Sequence, residues 1–138
     1  MRKPLMAIAV AVMAAIGFAA PAQATANTVD MPFGMAYGNS TTTGTIHFTD
    51  GYSASVSGTV HAASGARMVC FWGANGNVET SAICSQWAYA GGPNQSFSGS
   101  LRIALPGGVQ RVYIAMYDEN VTPLAGEFCT RNGCTRTF

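Results

Sequence analysis

Histidine is the side chain best suited to acid–base or metal chemistry near neutral pH, and this chain has two, His47 and His61. Both lie in segments where apolar and hydroxyl-bearing residues alternate, a pattern typical of β-strands with one buried face. The alternation places both imidazoles on the outward, hydroxyl-rich face. His61 lies eight residues beyond Ser53, the residue expected opposite His47, which separates the imidazoles by about 25 Å. We therefore expect two solvated histidines and no metal site.

Serines are abundant, and with a histidine and Asp50 or Asp118 they could be combined on paper into a Ser-His-Asp site. However, the sequence has no Gly-x-Ser-x-Gly turn to strain and expose a nucleophile. The adjacent Asp118 and Glu119 fit a solvated bend better than a catalytic carboxylate pair. The glycine-rich stretches precede no helix, so they cannot form a phosphate-binding helix terminus. The sequence therefore predicts a protein that is not an enzyme and has no cofactor.

The four cysteines are Cys70, Cys84, Cys129 and Cys134. In an exported chain they predict two disulfides. Sequence proximity favours Cys70–Cys84 and Cys129–Cys134. A long link such as Cys70–Cys129, as between the sheets of an antibody domain, is the alternative, although the Tyr-x-Cys of a tyrosine corner is missing. Their spacing matches no zinc pattern.

Export is predicted by the first 24 residues. Arg2 and Lys3 precede an apolar run, and Ala22-Gln23-Ala24 offers small residues for signal peptidase. Cleavage is expected after Ala24, or else after Ala26. The remaining chain has five arginines, no lysine and six acidic residues. Without a basic face or cluster, neither a nucleic acid nor, once the signal is removed, a membrane is an expected partner.

Aromatic side chains are the remaining candidates for recognition. We expect Trp72 in the core. If the strand face of Trp87 and Tyr89 is exposed, this pair could bind a sugar or a protein. The alternative is that both line the second face of the core. The candidate surface comprises Trp87, Tyr89, Asn75, Asn77, Arg102 and Tyr113.

Hairpins must position these residues, and their registers follow from the alternation. A loop Thr49-Asp50-Gly51 pairs Phe48 with Tyr52 and Ile46 with Ala54. A loop Ala63-Ser64-Gly65 pairs Val60 with Met68 and Val56 with Trp72, so that Met68, Cys70 and Trp72 face inward and Val69 and Phe71 outward. A turn Gly107-Gly108 pairs Ile103 with Val112 and sets Arg102 opposite Tyr113. Residues 82–90 form one strand, and 128–136 close as a hairpin with Cys129 facing Cys134.

These elements predict an all-β fold: a small antiparallel two-sheet β-sandwich (Ig-like) or small barrel, stabilised by disulfides. Residues 1–24 are the signal and 25–42 an irregular leader that includes part of an edge strand. Residues 43–138 form a single β domain.

One resemblance is carried by Cys70-Phe71-Trp72, Cys84, Ser100-Leu101-Arg102-Ile103 and Cys129-x4-Cys134. In this order they resemble the secreted apoproteins of the neocarzinostatin-type chromoproteins. The resemblance implies a small Ig-like sandwich with two local disulfides that carries an apolar ligand. Here the loop between the first two cysteines is longer, and the sequence ends sooner after the last.

The sequence therefore favours a small secreted, non-enzymatic protein that recognises a protein or a cell-surface polymer. One alternative is a carrier of an apolar small molecule in a cleft between the sheets. Another is an enzyme inhibitor or toxin that acts through the loop from Gly73 to Ala82, which the disulfide Cys70–Cys84 would hold rigid.

Overall fold

The computed structural model describes residues 28–49 and 51–138, which form eleven strands and no helix. Residues 1–27, which include the expected signal segment, and Asp50 lie outside the described residues. The strands are β1 (Val29–Tyr37), β2 (Ser40–Phe48), β3 (Ser53–His61), β4 (Ala66–Asn75), β5 (Val78–Glu79), β6 (Ile83–Cys84), β7 (Ala88–Tyr89), β8 (Gln95–Arg102), β9 (Arg111–Tyr117), β10 (Pro123–Thr130) and β11 (Gly133–Arg136).

Two antiparallel sheets pack face to face. A four-stranded sheet has the order β1-β2-β3-β8, and a seven-stranded sheet has the order β11-β10-β9-β4-β5, with β6 and β7 also paired to β4. The subset β2-β3-β8 facing β4-β9-β10 has the order A-B-E facing C-F-G of an immunoglobulin domain. The expected disulfide-stabilised, two-sheet sandwich is confirmed.

The core lies between the sheets and is built by alternation. Every second residue of β2 and β3 faces the core, and all of these except Gly44 and Gly58 are buried, including Ile46, Phe48 and Val56. The residues between them are serines and threonines, apart from the two histidines. The core-facing side chains pack against apolar side chains of the facing sheet, among them Val69 and Phe71. Burying each such side chain stabilises the fold by about 1.5–3 kcal/mol.

The hairpin between β2 and β3 is two residues longer than expected. Phe48 pairs with Ala54, not Tyr52, and Ile46 pairs with Val56. The carbonyl of Ser53 accepts bonds from both the backbone N–H and the hydroxyl of Thr49, at 3.1 and 2.8 Å, which closes the longer loop. A shift of two residues preserves which side chains face the core, so the alternation alone could not detect it.

The other two hairpin registers were wrong because both turns lead from one sheet to the other. After Ala63-Ser64-Gly65 the chain enters β4, which pairs with β9. The partner of β3 is β8, where Val56 lies opposite Gly99. After Gly107-Gly108 the chain likewise leaves β8 for β9. Arg102 and Tyr113 therefore belong to different sheets and are not opposite one another.

The inward face of β4 is the reverse of the one expected. Val69 and Phe71 are fully buried in the core, whereas Met68 and Trp72 are half-buried on the outside. β4 carries large apolar side chains on both faces, so its orientation depends on its partner strand. Pairing with β9 instead of β3 turned Trp72 outward.

Strand structure starts earlier than expected and is interrupted once. The expected leader, residues 25–42, contains all of β1 and the start of β2, and Phe33 and Met35 of β1 are buried. β1 is an edge strand, as its alternation suggested. The single strand expected over residues 82–90 is split into β6 and β7, each paired to β4.

Candidate functional site

A row of three aromatic rings crosses the outer face of the seven-stranded sheet. Trp72 pairs with Tyr113, and Tyr113 pairs with Phe128, so the rings come from β4, β9 and β10 in register. The ring centroids of Trp72 and Tyr113 are 5.5 Å apart with planes 13° from parallel, and those of Tyr113 and Phe128 are 5.9 Å apart. All three side chains are half-buried. We call these three residues the aromatic row.

A cation borders the aromatic row. The guanidinium carbon of Arg111, an exposed residue two positions before Tyr113, lies 5.5 Å from the ring centroid of Phe128. On the other side, the next register row consists of Cys70, Ala115 and Gly126. All three residues are buried. A Cβ on Gly126 would lie 2.7 Å from Thr137 Oγ1 and 2.8 Å from the Phe138 ring, so the side chains of Thr137 and Phe138 bound the aromatic row on this side.

Trp87 and Tyr89, expected as the centre of recognition, lie at the edge of the same sheet. Trp87 is half-buried between β6 and β7, and Tyr89 in β7 is 60% exposed. Arg67, which lies opposite Ala88 of β7, is 7% exposed. Its guanidinium donates to Ala66 O and Ser64 Oγ and lies 3.7 Å from the carboxylate of Glu119. Of this pair, Tyr89 presents the larger free surface.

The two asparagines of the expected surface, Asn75 and Asn77, have different roles. The side-chain amide of Asn75 donates to Pro106 O at 3.1 Å and Gly108 O at 2.8 Å, so it ties β4 to the crossover between β8 and β9. Asn77 is exposed in the turn between β4 and β5. Only Asn77 is available to a partner.

The structure does not bring the expected surface together. Tyr89 lies opposite Ala66 and Asn77 follows Asn75, nine residues further along β4, so these two are about 30 Å apart in the same sheet. Arg102 ends β8 in the other sheet, 5.7 Å from the ring of Tyr52. Trp72 and Phe128 were missed as surface residues. In the sequence, each of them follows a residue that turns out to be buried, which in a strand indicates an outward side chain. Which residues of β4 are buried follows only once its partner strand, β9, is known.

No protein-family model, no curated protein and no solved structure matches this chain. The resemblance to the chromoprotein apoproteins therefore remains a prediction, and the function must be argued from the chain's own surfaces.

Acid–base groups are partly assembled on the opposite face. Asp30, His47, Ser55 and Ser100 form one register row across the four-stranded sheet, and the carboxylate of Asp30 hydrogen-bonds the Nδ1 of His47. Within the described residues, however, neither histidine nitrogen contacts Ser55. Asp30 and His47 are 70% and 44% exposed. This row therefore lacks the base-to-nucleophile bond and the dry setting of a hydrolytic triad.

A buried carboxyl adjoins the second disulfide. Glu127 in β10 is 5% exposed, and its Oε1 accepts the N–H of Gly34 from β1 at 3.1 Å. Burial raises the pKa of Glu127, while the Gly34 N–H and the charge of Arg136 act in the opposite direction. A carboxylate oxygen of Glu127 and the sulfurs of Cys129 and Cys134 lie within 4.8 Å of one another.

That cluster is a poor metal site because both sulfurs are already bonded. Cys129–Cys134 and Cys70–Cys84 are the two disulfides, each with an S–S distance of 2.02 Å, as sequence proximity predicted. A disulfide sulfur is not the thiolate that a metal requires.

In the described part of the chain, no helix has the length and hydropathy needed to cross a bilayer.

Proposed function

We propose that this is a small secreted binding protein without catalytic activity, which recognises another protein, or a polymer of the cell surface, through the aromatic row. The observation that carries this proposal is the presence of Trp72, Tyr113 and Phe128, with Arg111 beside them, on the outside of a sheet. Tryptophan, tyrosine and arginine are the residues that most often dominate binding at protein interfaces. Two disulfides support export, because such bonds persist in oxidising compartments.

The geometry of the aromatic row favours a protein partner. Stacked rings hold one another in a single arrangement, so little conformational entropy is lost on binding. Tyr113 and Trp72 also offer a polar atom at the tip of an apolar body, which suits a surface that is hydrated when free and dry when bound.

A second candidate function uses the hairpin of β4 and β5. Thr80 and Gly73 exchange two bonds at 2.9 Å, one of them to the Thr80 hydroxyl, and the disulfide Cys70–Cys84 lies below. Asn77, Val78 and Glu79 are exposed above this clasp. A rigid, exposed loop of this kind supports the inhibitor or toxin alternative.

The carrier alternative is less well supported. The largest side chains between the sheets, among them Phe48, Phe71 and Met116, are fully buried against one another. An apolar ligand between the sheets would have to displace them.

The test is photocrosslinking on the protein recovered from its own secretion medium. A benzophenone amino acid at Arg111, beside the aromatic row, is compared with one at Ser53 on the other sheet. We expect a discrete crosslinked species with proteins or cell-wall material of the surrounding cells from position 111 only. Trp72→Ala in the position-111 protein should abolish it.

Two outcomes would contradict the proposal: no crosslink from position 111, or equal crosslinking from both positions.

The same preparation tests where the expected signal segment is cleaved. Its intact mass should correspond to cleavage after Ala24 or Ala26 with both disulfides formed.

A further inference from the structure

The outer face of the four-stranded sheet contains an open cavity of about 510 Å³. It lies across the strands over Gly44, Gly58 and Phe97, which are neighbours in register on β2, β3 and β8. Hydroxyl-bearing side chains rise on either side of these three residues: Thr45, Ser57 and Ser98 on one side, Thr59 and Ser96 on the other. We call this cavity the hydroxyl trough.

The five hydroxyls of the trough are exposed and uncommitted. Within residues 28–49 and 51–138, none of these side chains hydrogen-bonds to another protein group. Elsewhere on the same sheet hydroxyls are used internally: the Thr42 hydroxyl donates to Thr59 O and that of Ser40 accepts from Ala63 N–H. Each free hydroxyl can both donate and accept. The trough therefore offers a dense, two-sided set of hydrogen-bonding groups.

The uncharged, polar lining of the trough disfavours both charged and apolar ligands. No lining residue carries a charge, and the only lining residue with an aromatic ring, Phe97, is 7% exposed because its ring turns inward under Gly58. A charged ligand would lose hydration without meeting a counter-charge. A ligand that presents hydroxyls of its own loses least, because it can match donors and acceptors along its length.

The dimensions fit a short piece of a linear polyol. Three strands about 4.8 Å apart make the trough roughly 10 Å long, and the two rows of side chains are about 6.8 Å apart along the strands. This is comparable to a disaccharide unit lying across the strands.

We propose that the hydroxyl trough binds an uncharged glycan chain, with the hydroxyls of Thr45, Ser57 and Ser98 as the principal contacts. This inference is independent of the aromatic row, which lies on the opposite sheet. Weak affinity, roughly millimolar, is expected because each bond to the glycan replaces one to water.

The test is a titration of the ¹⁵N-labelled protein with cellotetraose, and separately with chitotetraose, followed by amide chemical shifts. Both probes are neutral and linear, and they differ in the acetamido group. With at least one of them, we expect changes concentrated at residues 43–45, 57–59 and 96–98. The triple variant Thr45→Val, Ser57→Ala, Ser98→Ala should bind that probe about tenfold or more weakly.

Ser53→Ala, on the same face of β3 but outside the trough, is the matched control and should bind like the wild type. Valine is close in shape to threonine and favours strands, so the triple variant should stay folded; its amide spectrum verifies this. The proposal is overturned by unchanged shifts with both probes, by shifts at the aromatic row instead, or by undiminished binding in the triple variant. Sedimentation that shows dimers lost on Thr45→Val would also overturn it, in favour of a second copy as the occupant.

Discussion

Glu127 is an acidic residue buried at a position that faces the core. It occupies an inward position of β10 between Ala125 and Cys129, where alternation calls for an apolar side chain. Its bond to Gly34 N–H connects β10 to β1 in the facing sheet. The carboxyl therefore joins the two sheets at one edge of the sandwich, at the cost of desolvation.

Burial of Glu127 should make stability depend on pH in a definite direction. Because its pKa is raised in the fold, the folded chain binds a proton more readily than the unfolded chain. The resulting stabilisation is complete below about pH 4, the ordinary range for glutamate, and is lost as pH rises through the folded pKa. Glu127→Gln cannot titrate, so its stability relative to the wild type should be greater at pH 7 than in acid.

Urea unfolding followed by tryptophan fluorescence over a series of pH values measures this difference. Asn77→Ala, an exposed and non-titrating position in the turn between β4 and β5, is the control, and its stability difference from the wild type should not change with pH. If the Glu127→Gln difference stayed constant with pH, Glu127 would not be the group responsible.

At the scale of the strands, two glycines let aromatic rings pack directly against the backbone of the four-stranded sheet. Phe33, Gly44, Gly58 and Phe97 form one register row, and the two ring centroids are 6.3 Å apart. A Cβ on Gly58 would lie 2.7 Å from the Phe97 ring, and one on Gly44 would overlap the Ser57 carbonyl oxygen. The rings cover the backbone that the glycines leave bare.

Gly44→Ala should therefore destabilise the protein by about 1–3 kcal/mol, because the ring and the neighbouring strand must both move. Gly34→Ala on the edge strand β1 is the matched control. Its Cβ would be no nearer than 3.6 Å to its closest neighbour, the Thr43 methyl, so a change within about 0.5 kcal/mol is expected. Equal losses in the two variants would show that contact with the rings is not the cause.

The aromatic row should be energetically coupled as well as adjacent. A double-mutant cycle of Trp72→Ala and Tyr113→Ala should give a coupling free energy of about 0.5–1.5 kcal/mol in urea unfolding. A cycle of Trp72→Ala with Tyr52→Ala, a residue of the loop between β2 and β3, should be additive to within about 0.5 kcal/mol. Additivity in both cycles would mean that the stacked rings contribute only through burial.

Alternation predicted which side chains share a face of a strand, but it did not predict the partner strands, and for β4 it did not predict which face is buried. The hydroxyl-bearing outer face of β2 and β3 was identified from the sequence, since period two determines which side chains share a face. Partners depend on whether a turn closes a hairpin or crosses to the other sheet. Gly65 and Gly108 adopt positive φ, which suits either path. Tyr113 was expected on the surface, but its neighbours Trp72 and Phe128 were missed, because the aromatic row comes from three strands whose pairing the turns do not reveal.

At the scale of the whole molecule, stability rests on a modest core and two local crosslinks. Replacing Cys70 and Cys84 by alanine should cost about 3 kcal/mol, because the freed loop spans 14 residues. The same change at Cys129 and Cys134, whose separation is 5, should cost about 2 kcal/mol. Urea midpoints of the two double variants test this order, and a greater loss in the second would contradict the loop-entropy account.

Both disulfides belong to the seven-stranded sheet, one joining β4 to β6 and the other joining β10 to β11. Within the described residues the four-stranded sheet has no covalent crosslink. It is held by its hydrogen-bond ladders, its apolar face and polar contacts such as that of Gly34 N–H with Glu127. Amide hydrogen exchange should therefore be uneven: transient local opening begins in β1 and β8, while β4 and β10 exchange only on global unfolding. The seven-stranded sheet is then the rigid part of the molecule. The four-stranded sheet, which carries the hydroxyl trough, is the part that opens locally while the rest stays folded.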